Sequence, residues 1–206
     1  MAQYFYIHPD NPQARLIQQA VNIVREGGVI AYPTDSAYAL GCQLDDKAAL
    51  ERLRQIRQLD DRHNMTLVCR DLSDIATYAR VDNRVYRLLK AHTPGPYTFI
   101  LQATSEVPRR LHHPKRKTVG IRVPANPICQ ALIGALGGPL VSTTLILPKQ
   151  DEPISDPEAL RDALEKRVDL IIDGGNTGVQ PTSVIDLSTE DTVILREGAG
   201  DLTAFR

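Results

Sequence analysis

The chain has few cysteines, and their spacing does not suggest a metal site or a disulfide framework. Its 206 residues include three, Cys42, Cys69 and Cys129, an odd number without Cys-x-x-Cys spacing. This pattern predicts reduced, mostly buried thiols. The first ten residues lack a basic region followed by an apolar run, so no signal peptide is expected. We therefore expect a cytoplasmic protein.

Long hydrophobic stretches and a strong net charge are also missing. No segment approaches the roughly 18 apolar residues that a membrane helix needs, so no membrane partner is expected. The formal net charge is −1, so any attraction to nucleic acid must come from local clusters. Hydrophobic residues make up 42% of the chain, which is ordinary for a globular protein. This length and composition predict one domain over residues 1–206.

Several well-known motifs of enzymes are absent. The chain has no G-x-x-x-x-G-K-[S/T] loop, no G-x-G-x-x-G loop and no nucleophile elbow. Its five histidines show no metal-ligand spacing beyond the adjacent pair His112 and His113, whose side chains would rarely converge on one ion. The sequence therefore predicts no structural metal, and motifs alone identify no catalytic residue.

Helical and strand patterns alternate along the chain. Asn11 is expected to cap the first helix, which Gly27 and Gly28 end. Ser155 and Glu158 form a capping signature for the last helix, which reaches about residue 165. The other helices are expected over residues 47–57, 72–79, 83–92 and 127–136. Strands are expected over residues 29–32, 66–69, 97–102, 119–123, 140–142, 170–172, 183–187 and 193–196. About eight strands and six helices predict an α/β domain, of mixed α+β type, with a twisted mixed sheet.

A polar loop follows the first predicted strand, at a place where open α/β sheets bind ligands. The segment places Thr34, Asp35 and Ser36 directly after the apolar residues 29–32. These hydroxyls and the carboxylate would form either a small polar pocket or an ordinary turn with an Asx cap, and the sequence leaves both open.

An arginine interrupts another apolar strand. Ile121 and Val123 face one side of that strand, so Arg122 faces the other. A buried guanidinium needs a partner, which is either a protein carboxylate or an anionic ligand. Further hydroxyls and a second arginine follow or precede other strands, at Ser142, Thr143, Thr144, Thr182 and Arg196. Arginines with clustered hydroxyls suit phosphate and carboxylate recognition.

One stretch of the chain is strongly basic. It contains Arg109, Arg110, Lys115, Arg116 and Lys117, together with two histidines. The stretch is either a surface that follows RNA phosphates, a clamp over a nucleotide, or a solvated loop. Because it has no aromatic residue on which single-stranded bases could stack, duplex backbone is the more natural nucleic-acid target.

Several of these segments carry a family resemblance. The segments, in chain order, are residues 27–38, 94–98, 119–124, 138–143, 182–186 and 196–198. Over nearly its whole length the chain resembles the YrdC family, which includes the threonylcarbamoyl-AMP synthases, and within it the YciO branch. The resemblance implies a YrdC-like fold with a concave, positively charged face. Its blocks are a stronger signal for fold than for activity.

The resemblance also implies ligands. Synthases of the family bind ATP, L-threonine and bicarbonate with Mg²⁺, and members are described as binding double-stranded RNA. At matching positions, the residues expected on the amino-acid side are Thr34, Arg122, Ser142 and Thr182. Those expected on the nucleotide side are Thr118, Thr144 and Arg196, and Arg57 retains one of two cations in a Lys-x-Arg motif.

Two synthase motifs are altered here. Lys-x-Arg becomes Arg57-Gln58-Leu59, and Ser-x-Asn becomes Thr144-Leu145-Ile146. Losing one charged donor to a phosphate costs about 2–4 kcal/mol, or about 10²–10³-fold. We therefore expect a nucleotide- and anion-binding cleft, with ATP and Mg²⁺ as its ligands, in a protein that binds double-stranded RNA such as tRNA or rRNA. The alternative is an active threonylcarbamoyl-AMP synthase that serves tRNA modification.

Overall fold

The computed structural model describes residues Met1 to Arg206 and contains ten strands and six α-helices. The strands are β1 (Gln3–Tyr6), β2 (Ile30–Tyr32), β3 (Ala39–Gln43), β4 (Thr66–Val68), β5 (Tyr97–Gln102), β6 (Thr118–Arg122), β7 (Leu140–Thr144), β8 (Leu170–Asp173), β9 (Ser183–Asp186) and β10 (Val193–Arg196). The helices are α1 (Ala14–Arg25), α2 (Lys47–Arg57), α3 (Leu72–Tyr78), α4 (Asn83–His92), α5 (Pro127–Leu136) and α6 (Pro157–Leu164). Short 3₁₀ turns cover Arg109–Leu111 and Thr203–Phe205.

All ten strands belong to one sheet, in the order β1-β8-β2-β3-β7-β4-β6-β5-β9-β10. The pairs β1/β8, β2/β8, β4/β6 and β5/β9 are parallel, and the remaining neighbours are antiparallel. The predicted mixed sheet and its six helices are confirmed.

One face of the sheet is covered by four helices. Apolar side chains of α2, α3, α4 and α6, including Leu53, Ile75, Leu89 and Leu160, pack with strand residues such as Ile121 in one large buried cluster. Strand side chains that point to this face alternate with those that point to the opposite one, as the pleat requires.

The opposite face is covered only in part. Ile30, Gly41, Ser142, Thr66 and Gly120 are register partners on five adjacent strands, so their side chains share this face. At the β2 end, α1 and α5 pack over the sheet and bury Ile30 in a second apolar cluster. At the β4 and β6 end no helix covers the face, and the exposed floor becomes polar. The fold therefore leaves a concave opening over half of one sheet face.

Two predicted helix caps are wrong. The first helix begins at Ala14 after Gln13, because His8 Nδ1 accepts the amide hydrogens of Asp10 and Asn11 and holds those residues in a turn (3.2 and 3.0 Å). Asn11 is therefore not a cap. The last helix is capped by Asp156 rather than by Ser155: the Asp156 carboxylate accepts from the backbone amides of residues 158 and 159, at 3.4 and 3.2 Å.

The sequence did not predict β1 and β3. Strand β3 reads Ala-Leu-Gly-Cys-Gln and lacks the β-branched residues that mark strands. Its glycine serves packing, since a Cβ at Gly41 would lie 2.5 Å from Leu140 Cδ2 and 2.9 Å from the Tyr32 ring. Strand β1 is a half-exposed edge strand, so its hydrophobic pattern is weak.

The cysteines are as predicted. Cys42, Cys69 and Cys129 are all buried and unpaired, and burial raises the pKa of each thiol. Of the six helices, none combines the length and the apolar character needed to cross a lipid bilayer.

Candidate functional site

The uncovered half of the sheet forms a cleft of about 310 Å³. Gly120 keeps space open between two threonines that line this cleft: a Cβ there would come 2.9 Å from Thr66 Oγ1 and 3.3 Å from Thr98 Cγ2. Three arginines, five threonines, one histidine and one asparagine supply the polar lining, and no Asp or Glu lines the cleft. The arginines and threonines are Arg57, Arg62, Arg196, Thr66, Thr98, Thr143, Thr144 and Thr182. Guanidiniums and hydroxyls without a carboxylate are a donor set for anions.

Two of the arginines are held in place by backbone groups. Arg57, in the last turn of α2, donates from Nη1 to the carbonyl oxygen of Thr144. Arg196, at the end of β10, donates from Nε to the Thr182 carbonyl (2.9 Å) and from Nη2 to Thr182 Oγ1 (3.1 Å). Neither guanidinium forms an ion pair with a carboxylate.

The cleft concentrates positive charge. Partial burial lowers the pKa of Arg57 below its usual value, and the nearby Arg196 lowers it further. Burial likewise lowers the pKa of Arg196, with a further contribution from Arg122. Adjacent cations without counter-ions repel each other, and an anion bound between them would relieve that repulsion.

A partly buried histidine, His63, lies among these cations. Burial is the main cause that lowers the pKa of His63, and Arg57, Arg54 and Arg196 lower it further, while Asp60 opposes them. His63 Nε2 lies 3.5 Å from Thr143 Oγ1. His63 was not predicted as a site residue, because the spacing of the histidines bears only on metal ligation.

Three predicted site residues are buried beside the cleft and are already bonded within the protein. Arg122 Nη2 donates to Asp35 Oδ1 at 2.5 Å, and both side chains are almost fully buried. The partner of Arg122 is thus the protein carboxylate that the sequence left open as one alternative. Thr34 Oγ1 donates to the Ala37 carbonyl (2.6 Å) and accepts two backbone amides of its own turn. Ser142 Oγ lies 2.5 Å from the Tyr32 hydroxyl and 3.0 Å from the Leu40 carbonyl.

The other predicted residues divide between the cleft wall and the protein interior. Arg57, Thr144, Thr182 and Arg196 line the cleft. Thr118 does not: it is completely buried at the start of β6, and its Oγ1 has no hydrogen-bond partner. The structure therefore brings four of the eight predicted binding residues into the lining of one cleft, and three others are buried and bonded within the protein.

The two altered positions face opposite sides of the sheet. Ile146 lines the cleft, so this part of the wall is apolar. Leu59 packs against the hydrophobic core on the other face, away from the cleft. A longer, charged side chain at position 59 would have to leave the core before it could reach a ligand.

The basic stretch does not form one continuous surface. Arg110 Nη2 donates to the Asp45 carbonyl near the start of α2 (2.8 Å), whereas Arg116 lies 3.9 Å from Asp186 on the cleft face of β9. The side chains of Arg109, Lys115 and Lys117 are exposed and have no hydrogen-bond or ion-pair partner. Arg109 and Lys117 border a separate groove together with both histidines of the stretch.

The donor set of the cleft fits a polyphosphate, but it offers no carboxylate to Mg²⁺. Magnesium prefers carboxylate, phosphate and water oxygens, and the cleft supplies no carboxylate. Mg²⁺ in this cleft would be held mainly by the phosphate oxygens of the nucleotide and by water, with threonine hydroxyls as neutral protein ligands.

The chain is similar to known proteins in both sequence and structure. The family model named for Sua5, YciO and YrdC, and described as "Telomere recombination", matches residues 22–198. YciO of Escherichia coli (strain K12) is 62% identical over 205 residues, with both chains covered completely. The crystal structure of E. coli YciO superposes with a TM-score of 0.98 over 100% of each chain.

More distant relatives include enzymes. A threonylcarbamoyl-AMP synthase of Vibrio vulnificus (strain YJ016) is 32% identical over 186 residues, which cover 88% of this chain and 98% of the synthase. P. abyssi Sua5 complexed with L-threonine is 26% identical with a TM-score of 0.87, over 95% of this chain and 57% of that one. These findings confirm the resemblance and the YrdC-like fold. The chain belongs to the Sua5/YciO/YrdC family and is related to threonylcarbamoyl-AMP synthase.

Proposed function

We propose that the cleft binds the polyphosphate of a nucleotide, with ATP as its ligand. The observation that carries this proposal is the lining of three arginines and five threonines without any acidic side chain. A triphosphate brings several negative charges and many acceptor oxygens, which match guanidinium and hydroxyl donors. Arg57 and Arg196 would contact it from two sides while held by their backbone partners.

A small amino acid would occupy the inner end of the cleft. L-threonine is the ligand of the related Sua5 structure, and the related synthase makes a threonylcarbamoyl adenylate. In that chemistry a carbamate oxygen attacks the α-phosphorus, the bond from this phosphorus to the bridging oxygen breaks, and pyrophosphate leaves. The cleft arginines would orient the nucleotide and stabilise the charge on the leaving pyrophosphate. Because Ile146 makes part of the cleft wall apolar, we expect synthase turnover to be weak.

Calorimetric titration with ATP, in the presence and absence of L-threonine, tests the proposal. We expect saturable binding of ATP and tighter binding when threonine is present, because both ligands share one cleft. Pyrophosphate release in the presence of bicarbonate measures the synthase step separately. An absence of heat with millimolar nucleotide would contradict the proposal.

Anion binding should be linked to protonation of His63. A bound anion favours the imidazolium form and raises the pKa of His63 towards its ordinary value. The complex therefore takes up a proton, and affinity rises as the pH falls towards and below about 6.5. With sulfate, whose charge is constant over this range, we expect a rise of roughly 3–10-fold between about pH 7.5 and about pH 5.5.

Two comparisons make the linkage specific to this residue. His63→Gln should bind sulfate with nearly constant affinity over the same pH range. His8→Gln, on the exposed N-terminal turn, should retain the pH dependence of the unaltered protein. Equal slopes for all three proteins would contradict the role of His63. The ligand-free protein should lose stability as the pH falls below about 6.5, because the unfolded chain then binds the proton first.

We further propose that the basic stretch binds duplex RNA through its phosphates. Arg109, Lys115 and Lys117 support this, since their charges are exposed and unpaired. Affinity for a short RNA duplex should fall steeply as salt increases, and replacing all three by alanine should lower the slope of log affinity against log salt by about 3. Arg15→Ala, on the exposed side of α1, is the control. Affinity that does not vary with salt would contradict binding through phosphates.

A further inference from the structure

The connection between β5 and β6 forms a groove that is separate from the cleft. Side chains of residues 103–117 line it, and its volume is about 660 Å³. The groove shares no lining residue with the cleft. Its polar lining consists of two cations, two histidines and two hydroxyls, and no Asp or Glu lines it. The RNA-binding proposal above used exposed charges of this stretch and assigned no ligand to the groove itself.

Hydrogen bonds across the base of the connection hold the backbone of the groove in place. The amide of Ala103 donates to the Lys117 carbonyl (3.0 Å), and the amide of Lys117 donates to the His113 carbonyl (3.0 Å). Lys117 has a left-handed backbone (φ 55°), which residues other than glycine seldom adopt. Such a conformation persists where the surrounding structure fixes it, and it is common at ligand sites. The Lys117 side chain therefore starts from a defined point on the groove wall.

The two histidine rings of the groove have defined hydrogen-bond roles. His113 Nδ1 accepts the amide hydrogens of residues 115 and 116 (3.3 and 3.2 Å), so the neutral ring carries its proton on Nε2. His112 Nε2 lies 2.8 Å from the Val107 carbonyl, which can only accept, so this nitrogen donates and the ring is fixed as a wall. The groove thus gains one imidazole N–H, from His113, that has no partner within the protein.

The free donors of the groove suit a phosphate monoester. They are the guanidinium of Arg109, the ammonium of Lys117, the hydroxyl of Ser105 and the N–H of His113. A monoester carries a charge of about −1.5 to −2 at pH 7 and has three free oxygens. A phosphate inside a duplex has a single charge and two free oxygens, and it lies on the convex surface of the helix. A concave groove therefore fits a terminal phosphate better than an internal one.

The size of the groove also bears on its ligand. A volume of about 660 Å³ lies within the roughly 300–1,000 Å³ of small-molecule sites. It can therefore hold the sugar of a terminal nucleotide together with its phosphate. Lys115 does not line the groove, and its ammonium is exposed on the adjoining turn, where it can contact the backbone that follows the end.

We propose that this groove binds the terminal phosphate monoester of an RNA strand. The assignment rests on the proposed RNA binding and divides its contacts into two kinds. Arg109 and Lys117 contact the end group, together with Ser105 and His113, whereas Lys115 contacts the adjoining backbone. RNA duplexes that end in phosphate are then bound in preference to duplexes that end in hydroxyl.

Two RNA duplexes of the same sequence, one with 5′-phosphate ends and one with 5′-hydroxyl ends, test the proposal at a single salt concentration. We expect the phosphorylated duplex to bind about 5–20-fold more tightly, because its end brings charge and acceptor oxygens to two unpaired cations. A hydroxyl-ended duplex two base pairs longer carries about the same total charge as the phosphorylated one. It should bind within about 2-fold of the shorter hydroxyl-ended duplex.

The double variant with Arg109→Ala and Lys117→Gly should lose this preference, so that the two duplexes bind within about 2-fold of each other. Glycine suits the left-handed backbone at position 117, so this change removes the ammonium at little conformational cost. Lys115→Ala is the matched control: it should weaken both duplexes by a similar factor and retain the preference. If the double variant melts at a lower temperature than the unaltered protein, Arg109→Ala alone is measured, and it should lose about half of the preference on a logarithmic scale.

The outcomes distinguish failure of this proposal from failure of RNA binding as a whole. A preference that persists in the variants, or no preference in the unaltered protein, would overturn the proposal and leave duplex binding in place. No binding of any duplex at low salt would remove the RNA function and this proposal together. Adenosine monophosphate supplies a free monoester. If it binds as tightly as the phosphorylated duplex, and the double variant loses that affinity, the groove belongs to a free nucleotide and the assignment to an RNA end is wrong.

Discussion

Replacing Arg57 or Arg196 by methionine should weaken ATP binding by about 10²-fold while leaving the ligand-free protein at least as stable as before. The affinity falls because each variant removes a charged donor aimed into a cleft with no acidic residue. Stability is retained because partial burial and neighbouring cations already disfavour both charges, as the lowered pKa of each guanidinium shows. Methionine keeps an unbranched apolar stem of similar length, so packing changes little.

Thermal unfolding with and without ATP measures both effects. A ligand at 100 times its dissociation constant stabilises the native state by about 2.7 kcal/mol, which for a chain of this size raises the Tm by about 5–10 °C. The unaltered protein should show this rise, and the two methionine variants should show almost none. Without ligand, their Tm should equal or exceed that of the unaltered protein.

Arg52→Met provides the matched control. Arg52 is also an arginine of α2, but it pairs with Asp169 outside the cleft, at 2.8 Å. We expect this variant to retain the rise in Tm with ATP. A fall in stability for Arg57→Met without a loss of ATP protection would indicate that this arginine serves the fold rather than a ligand.

Arg122 and Arg196 were predictable from local sequence as arginines that need a partner, whereas the identity of each partner was not. Arg196 and Arg122 interrupt or end apolar strands, and that pattern alone indicates a guanidinium that needs a partner. Which partner it finds depends on sheet order: Asp35 is 87 residues from Arg122 in the chain. The sequence consequently left a carboxylate and a ligand as equal alternatives, and only the assembled fold distinguishes them.

The positions of Asn64 and Gly120 at the cleft could not be predicted from the sequence. Asn64 lies in a segment that the sequence presents as an ordinary loop, and Gly120 lies in an apolar strand near the predicted Arg122. Their importance comes from position, since Gly120 keeps space open between Thr66 and Thr98, and Asn64 lines the cleft beside His63. The order of ten strands decides both positions, and hydrophobic periodicity does not encode strand order.

The same periodicity predicted most elements of the fold correctly because they are buried on one or both sides. Strands β5 and β6 are apolar runs bounded by turn residues, and α4 presents Val85 and Leu89 to the core. Strand β3 was not predicted, because Gly41 and Cys42 give no strand signal, although both are fully buried between β2 and β7. The two helix caps were misplaced by two residues and by one: Gln13 precedes α1 without a side-chain capping bond, and Asp156 directly follows Ser155.

Gly198→Ala should be the most destabilising single methyl addition near the cleft. A Cβ at this position would overlap the carbonyl oxygen of Pro181 and lie 2.5 Å from the carbonyl carbon and oxygen of Thr182. These are backbone atoms that cannot rotate away, so the strand connection must shift. Thr182 also holds Arg196 through two hydrogen bonds, and the shift would move that guanidinium. We expect a loss of about 3 kcal/mol in stability and a large loss of ATP affinity.

Gly134→Ala is the matched control, because it adds the same methyl group in open space. Gly134 is an exposed residue of α5, and a Cβ there would have no atom within 4 Å. Alanine in a helix is favoured over glycine by about 0.5–1 kcal/mol, so this variant should be slightly more stable and bind ATP normally. Chemical denaturation of both variants, followed by ATP titration, measures the contrast. Equal stability of the two variants would mean that the backbone around Thr182 shifts at little cost. Arg196 would then not be held in a fixed position, and the selective binding of anions that depends on it would be lost.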